Sequence, residues 1–119
     1  MKKYNTVKEN KEFSRIINHQ IFVRNANFVI YYDKNTVGHY RFGISVGTKV
    51  GNAVVRNKLK RQIRNILDIH KKLYSNELDY IIIVRKNCLN LSFQEMDESL
   101  INLIEKINQR RQNTNEKTK

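Results

Sequence analysis

The spacing of apolar residues divides the chain into helical and extended stretches. Apolar residues recur at helical intervals from Thr6 to His19, over residues 52–73, and after a capping box formed by Ser92 and Glu95. Residues 20–33 are rich in β-branched and aromatic side chains and predict extended structure. The polar segment 25–27 interrupts this stretch, so it forms either one bent strand or two strands.

Two later stretches predict further strands. Residues 40–47 alternate apolar with polar or small side chains, which predicts a half-buried strand. Residues 80–85 begin with an uninterrupted apolar run, which is typical of a buried strand. In residues 28–32 both alternating sets are apolar, so both faces of that strand should be covered. Residues 109–119 contain no apolar residue and predict a disordered polar tail.

The predicted order of elements is α-β-β-(β)-α-β-α. This order indicates an α+β fold, an α/β sandwich in which three helices cover one small mixed sheet. The chain has 119 residues, which fits a single domain over residues 1–108 followed by the tail. A strand–helix–strand crossover connects residues 40–85, and general handedness rules predict that it is right-handed.

The net charge of +12 indicates a polyanionic partner, namely RNA, DNA or an anionic membrane. A membrane is disfavoured because no apolar run is long enough to span one and the basic helix lacks aromatic anchors. The N-terminal residues do not resemble a signal peptide. Cys88 is the only cysteine, so no intrachain disulfide can form and we expect a cytoplasmic protein.

The positive charge is concentrated in residues 48–67, which contain six basic residues and no acidic one. On a helix, the basic residues of this segment occupy one flank and its apolar residues occupy another. A flank that is merely solvated usually mixes both signs of charge, so an all-positive flank predicts binding to nucleic acid. The candidate nucleic-acid-binding residues, which the resemblance described below assigns to RNA binding, are Lys49, Arg56, Asn57, Lys58, Lys60, Arg61 and Arg64.

No constellation of residues predicts catalysis by the protein itself. His19, His39 and His70 lie on different predicted elements, and no Cys/His spacing is typical of a zinc site. The acidic residues of the last predicted helix look like a solvated face, and the basic middle of the chain has no carboxylates to hold catalytic cations. We therefore expect no catalytic residue and no metal or other cofactor bound by the protein.

One motif resembles the signature of a known family. It reads Lys49-Val50-Gly51-Asn52-Ala53-Val54-x-Arg56-Asn57-x-x-Lys60-Arg61-x-x-Arg64 and follows Arg41-Phe42-Gly43-Ile44-Ser45-Val46. This pattern resembles the bacterial ribonuclease P protein subunit, and the resemblance extends over residues 5–107. Two departures are Gly47-Thr48, where the family often has Ser-Lys, and Asn65, where an acidic residue is common. The resemblance implies a rare left-handed crossover in place of the right-handed one.

The resemblance also implies a function. The protein would bind the catalytic RNA of ribonuclease P and the 5′ leader of precursor tRNA, while the RNA, with Mg²⁺, cuts the leader off. It would have no DNA or membrane partner. The leader cleft would comprise Phe13, Ile17, Val29 and Tyr31, with Lys8 and Arg24 at its rim. An ordinary core role stays open for the four apolar residues. The alternative function is a ribosomal or other structural RNA-binding protein without a role in cleavage.

Overall fold

The computed structural model describes residues 5–7 and 10–118, with side chains described as far as residue 112. Within these residues the chain forms three α-helices and one four-stranded mixed sheet, which confirms the predicted α+β fold. The elements are α1 (Asn10–Asn18), β1 (Phe22–Arg24), β2 (Phe28–Lys34), β3 (Arg41–Val46), α2 (Ala53–Ile69), β4 (Leu78–Val84) and α3 (Phe93–Thr118). Short 3₁₀ turns follow α2 at Lys71–Leu73 and β4 at Lys86–Asn90.

The sheet has the strand order β1-β2-β4-β3. β2 pairs antiparallel with both β1 and β4, whereas β3 pairs parallel with β4 and is connected to it through α2. The interruption at residues 25–27 is a turn, so the extended region forms two strands. Asn25 Oδ1 accepts hydrogen bonds from the backbone N–H groups of Asn27 and Phe28, both at 2.9 Å. The left-handed crossover implied by the resemblance stays a prediction.

Helices cover both faces of the sheet. On one face, alternate residues of β2, β3 and β4 pack against α2 and α3 in the main core; Phe28, Phe42 and Tyr80 are the largest strand residues there. On the opposite face, α1 packs over a second, smaller cluster. Tyr31 lies in that second cluster, so the expectation that both faces of β2 are covered is confirmed.

Two helix boundaries differ from the sequence prediction by four residues each, and β4 begins at Leu78 rather than at residue 80. The first helix begins at Asn10 rather than Thr6, because Thr6 forms a β-bridge with Phe42 and the N–H of Val7 donates to Phe42 O at 3.0 Å. Pairing with the edge of β3 thus takes the place of a first helical turn. The second helix ends at Ile69, and a 3₁₀ turn carries the chain to residue 73.

The capping box that opens α3 is confirmed. The N–H of Ser92 donates to Glu95 Oε1 at 2.9 Å, and the N–H of Glu95 donates to Ser92 Oγ at 3.1 Å. Hydrogen bonding of the Glu95 carboxylate with the backbone N–H of Ser92, and secondly with its hydroxyl, lowers the pKa of the Glu95 carboxyl. The two donors at the helix start are therefore satisfied reciprocally.

The predicted disordered tail is wrong at residues 109–112, because α3 continues through Thr118. Two arginines of this segment reach back to the sheet. Arg110 Nη1 donates to Phe22 O at 2.8 Å, and Arg111 Nη2 donates to Glu77 Oε2 at 2.6 Å. Neither glycine nor proline interrupts the helix here. In the described part of the chain, no helix has the length and apolar character needed to cross a membrane.

Candidate nucleic-acid interface

Helix α2 presents the predicted basic flank on its outer side. Asn52 caps its first turn by accepting a hydrogen bond from the N–H of Val55 at 3.0 Å. Four apolar residues anchor the inner side in the main core, namely Leu59, Ile63, Ile66 and Leu67. This orientation leaves Asn57, Lys58, Arg61 and Arg64 exposed and Arg56 and Lys60 half-buried, while Lys49 is exposed in the preceding turn.

The positive charges on this flank are not neutralised by the protein. Among the residues that the structure describes, none of the six cations forms an ion pair with a carboxylate. The Nε atom of Arg56 is buried and has no hydrogen-bond partner there. The first turn of α2 contains no acidic residue, so the partial positive charge of the helix N-terminus adds to these cations. The surface is suited to a polyanion.

A second candidate surface lies between α1 and the sheet. Phe13, Ile17 and Tyr31 are half-buried around one small cluster, whose fully buried members are Val7, Ile16 and Ile81. The structure therefore brings these three predicted cleft residues together. Val29 is half-buried on the same face of the sheet, and Arg24 is exposed directly opposite it on β1. Lys8, predicted at the rim, lies outside the described residues.

Gly43 allows α1 to approach the sheet closely. A Cβ atom at this position would overlap the ring of Phe13 and would lie 2.8 Å from Ile81 Cδ1. The absence of a side chain on Gly43 thus creates the space that the Phe13 ring occupies. Gly43 belongs to the motif at residues 41–46, and the sequence did not indicate this packing role.

Sequence reasoning missed three other residues on this face, namely Phe22, Ser45 and Ile83. The strand register places Ile83 between Val29 and Ser45, and it places Phe22 beside Tyr31. The uninterrupted apolar run of β4 concealed which of its residues face α1, because alternation cannot be read where both sets are apolar. Only the pairing register identifies these neighbours.

A buried carboxylate fixes α1 on the sheet. Asp79 is fully buried, and its Oδ2 accepts from Arg41 Nη2 at 2.7 Å and from Arg15 Nη2 at 3.1 Å. The hydrogen bonds that Arg41 donates to the Asp79 carboxylate raise the pKa of Arg41. Arg41 also contacts Glu12 Oε1 at 3.1 Å, and Arg15 contacts Asp33 Oδ2 at 2.8 Å. This ionic cluster, formed by Glu12, Arg15, Asp33, Arg41 and Asp79, was not predicted from the sequence.

The basic helix begins at the end of the sheet where Val29 and Ile83 lie, although α2 covers the opposite face from α1. β3 and β4 are parallel, and α2 starts shortly after β3 ends. Ser45 and Ile83 are paired near the same end of these strands, whereas Arg41 and Asp79 are paired at the other end. Val29, Ser45 and Ile83 are half-buried at the end of this face where the cationic helix begins.

The histidines do not form a catalytic or metal-binding group in the described part of the chain. His19 Nδ1 lies 2.7 Å from Asp33 Oδ2, and His70 Nε2 lies 2.9 Å from Asp97 Oδ1 and so connects α2 to α3. Among the described residues, no group of three or more His, Cys, Asp or Glu side chains is arranged to hold a metal ion.

The chain is similar to known proteins over most of its length. The family model described as Ribonuclease P matches residues 1–108. The ribonuclease P protein component of Mycoplasma mycoides subsp. mycoides is 46% identical over 108 residues, which is 90% of this chain and 99% of that protein. The solved structure of the Staphylococcus aureus RNase P protein has a TM-score of 0.79 at 36% identity and covers 85% of this chain and 93% of that chain.

The RNase P protein from Thermotoga maritima is also similar, with a TM-score of 0.78 and 30% identity, covering 85% of this chain and 96% of that chain. The similarity thus includes both the basic helix and the strands that line the cleft. The chain belongs to the ribonuclease P protein family, whose members are protein components of an endoribonuclease that processes tRNA.

Proposed function

We propose that α2 of this protein binds the catalytic RNA of ribonuclease P, while the cleft beside α1 holds the 5′ leader of precursor tRNA. The catalytic RNA then removes the leader with Mg²⁺ and forms the mature 5′ end, and the complex works in the cytoplasm. The observation that carries this proposal is the cationic face of α2, whose basic residues form no ion pair with any described carboxylate and which begins at the same end of the sheet as the half-buried Val29 and Ile83.

The outer face of α2 has the chemistry that phosphate binding requires. Arg61 and Arg64 are exposed one turn apart, and Lys60 and Arg56 flank them. An arginine side chain can donate two parallel hydrogen bonds to one phosphate, which gives orientation as well as attraction. Arg56 is half-buried, so only the exposed part of its guanidinium is available to a phosphate at the inner edge of this face. Docking of RNA on α2 satisfies these groups.

The cleft has the chemistry that an unpaired nucleic-acid strand requires. Aromatic rings stack with any base, so a cleft with Phe13 and Tyr31 accepts leaders of different sequence. Arg24, exposed on the same face, is available to a phosphate of the same strand. A leader in this cleft stays close to the RNA on α2, because both surfaces lie at the same end of the sheet.

In this proposal the RNA subunit, and not the protein, cleaves the phosphodiester bond. The described residues include no constellation of a nucleophile, base or metal ligands near either surface. Our proposal assigns the Mg²⁺ ions required for phosphodiester cleavage to the RNA. The protein contributes by holding the substrate and by reducing the electrostatic repulsion between two RNA molecules.

The test of the α2 interface is a salt titration of affinity for the catalytic RNA. Arg61→Ala should lower affinity and reduce the slope of log K against log salt by roughly 0.7–0.9, the value for one lost phosphate contact. Its melting temperature should not fall, because Arg61 is exposed and alanine favours helix. Lys106→Ala removes an exposed cation from α3 and is the matched control, with no expected change. An unchanged slope for Arg61→Ala would place the RNA elsewhere.

The test of the cleft compares precursor tRNA with leaderless tRNA in the reconstituted holoenzyme. Phe13→Ala and Tyr31→Ala should each weaken binding of leader-bearing substrate by about 1–3 kcal/mol, the usual worth of one stacked base. Binding of leaderless tRNA should stay nearly unchanged. Equal losses for the two ligands would count against the cleft. A structural RNA-binding protein without a role in cleavage would bind RNA but would not stimulate removal of the leader.

A further inference from the structure

Phe22 points to the cleft side of the sheet. In the three-residue strand β1, the middle residue Val23 is buried in the main core. Because side chains alternate along a strand, Phe22 and Arg24 point to the opposite face, which is the face covered by α1. The register pairs Phe22 with Tyr31, the cleft residue on β2. Phe22 therefore continues the cleft floor to the edge of the sheet.

Phe22 lies beside the apolar cluster under α1 rather than in it. It is half-buried, and it is not part of the described apolar cluster that α1 forms with Phe13, Ile17 and Tyr31. Its ring contact in the structure is with Tyr31, at 5.2 Å between centroids and 43° between planes. Rings this close leave no room for a base between them. A base can instead stack on the part of the half-buried Phe22 ring that Tyr31 does not contact.

The backbone that carries Phe22 is fixed on both sides. On the inner side, the N–H of Tyr32 donates to Ile21 O at 3.1 Å. On the outer side, Arg110 Nη1 from α3 donates to Phe22 O at 2.8 Å. An aromatic ring with two rotatable bonds on a fixed strand loses little conformational freedom when a base stacks on it. The position is preorganised for binding.

We propose that Phe22 is a second stacking platform that takes one further unpaired base of the 5′ leader, beyond the base held at Tyr31. Arg24 lies two residues along the same face and is exposed, so its guanidinium is available to the phosphate of that nucleotide. Adjacent strands lie roughly 5 Å apart, so the next base shifts outward by one strand spacing. This inference rests on the proposed function of the cleft.

The experiment measures the affinity of the holoenzyme for precursor tRNAs whose leaders are shortened one nucleotide at a time. Wild-type affinity should rise with leader length in steps. Phe22→Ala should remove one step, lowering affinity for the longer leaders by about 5- to 10-fold, the low end for one base–aromatic stack. Shorter leaders should bind as in wild type. Phe22→Tyr should restore the step, whereas Phe22→Leu, which keeps apolar packing, should not.

Tyr31→Ala separates this inference from the proposal on which it rests. If Tyr31→Ala weakens leader binding while Phe22→Ala matches wild type at every length, the second platform is refuted and the cleft stands. If neither variant affects leader binding, the cleft itself is refuted. An equal loss with leaderless tRNA, or rescue by Phe22→Leu, would reduce Phe22 to a packing residue.

A spectroscopic readout distinguishes stacking from packing. The chain contains no tryptophan, so Phe22→Trp introduces a single indole at the proposed platform. Its fluorescence should be quenched by leaders long enough to reach β1 and should stay unchanged with shorter leaders or leaderless tRNA. Emission that does not respond to the longest leader would overturn the proposal.

Discussion

Replacing Asp79 by asparagine should loosen α1 on the sheet more than removal of any other charge in the ionic cluster. The carboxylate is fully buried and accepts three hydrogen bonds from two arginines. Two of these come from Arg41, at 2.9 Å to Oδ1 and 2.7 Å to Oδ2. Asparagine keeps the shape, but it removes the negative charge and turns an amide N–H₂ toward an arginine donor.

The cost is set by the charges that remain. Removing one partner of a buried ion pair destabilises a protein by about 3–5 kcal/mol. Here Arg15 keeps its contact with Asp33 and is 38% exposed, while Arg41 keeps its contact with Glu12 and is 13% exposed. Both arginines therefore retain an acceptor and some water. We therefore expect Asp79→Asn to lower the free energy of unfolding by about 3 kcal/mol, the low end of this range. That loss is a large part of the total free energy of unfolding of a domain, which is typically about 5–15 kcal/mol.

The measurement is urea unfolding followed by circular dichroism, with Asp33→Asn as the matched control. Asp33 contacts the same Arg15 but is 13% exposed, so its replacement should cost about 1 kcal/mol or less. Asp79→Asn should also weaken binding of leader-bearing tRNA, because α1 forms one wall of the cleft. Equal unfolding free energies for the two variants would refute the argument from burial.

Three further predictions concern packing, burial and capping. Gly43→Ala should cost about 1–3 kcal/mol by overpacking and should displace Phe13, measured by thermal melting and leader affinity. Burial raises the pKa of the Cys88 thiol from 9.0 to about 11. At neutral pH, native protein should therefore react with a thiol reagent far more slowly than urea-unfolded protein. The free energy of unfolding contributed by the neutral thiol should fall as the pH rises from 9.0 to about 11. Because the pKa of Glu95 is lowered in the folded protein, its ionised carboxylate stabilises the fold at pH values above the ordinary carboxyl pKa. This stabilisation disappears as the pH falls through the lowered pKa. Glu95→Gln should remove this contribution to the acid dependence of urea unfolding.

The sequence predicted α2 well because several local signals agree there. Asn52 supplies the cap, and Leu59, Ile63 and Ile66 form one stripe wide enough to settle which face is buried. The orientation of the basic flank then follows without knowledge of the rest of the fold. Likewise, Ser92 and Glu95 form a local motif whose geometry depends on four consecutive residues.

The parts that could not be predicted depend on contacts between distant residues. Asp79 lies 64 positions from Arg15 and 38 from Arg41, and nothing local to Asp79 indicates that it meets both. Thr6 is a typical helix-capping residue, but it pairs with Phe42 at the edge of β3 instead of starting the first helix. Helix α3 continues past residue 108 because Arg110 contacts β1, which a composition rule for disorder cannot take into account.

On the face of the sheet that α1 covers, residues paired in register across β2, β4 and β3 form three successive rows. The order of these rows determines the position of the cleft. At one end the ionic row, with Asp33, Asp79 and Arg41 in register, binds the polar side of α1. In the middle row Tyr31 and Ile81 pack beneath its apolar side. The ion pairs fix α1 over these two rows, so it leaves Val29, Ile83 and Ser45 less covered at the third row.

That third row is at the end where β3 continues toward α2, because β3 and β4 run parallel and α2 connects them. The same pairing that buries the strands thus brings the least covered part of the apolar face next to the most cationic helix. An unpaired strand of RNA has both features, apolar bases and anionic phosphates. The ionic cluster adjoins this face, because Glu12 precedes Phe13 on α1 and Asp79 lies two residues before Ile81 on β4. It sets which end of the sheet α1 covers, and we therefore expect it to determine where the proposed leader can bind.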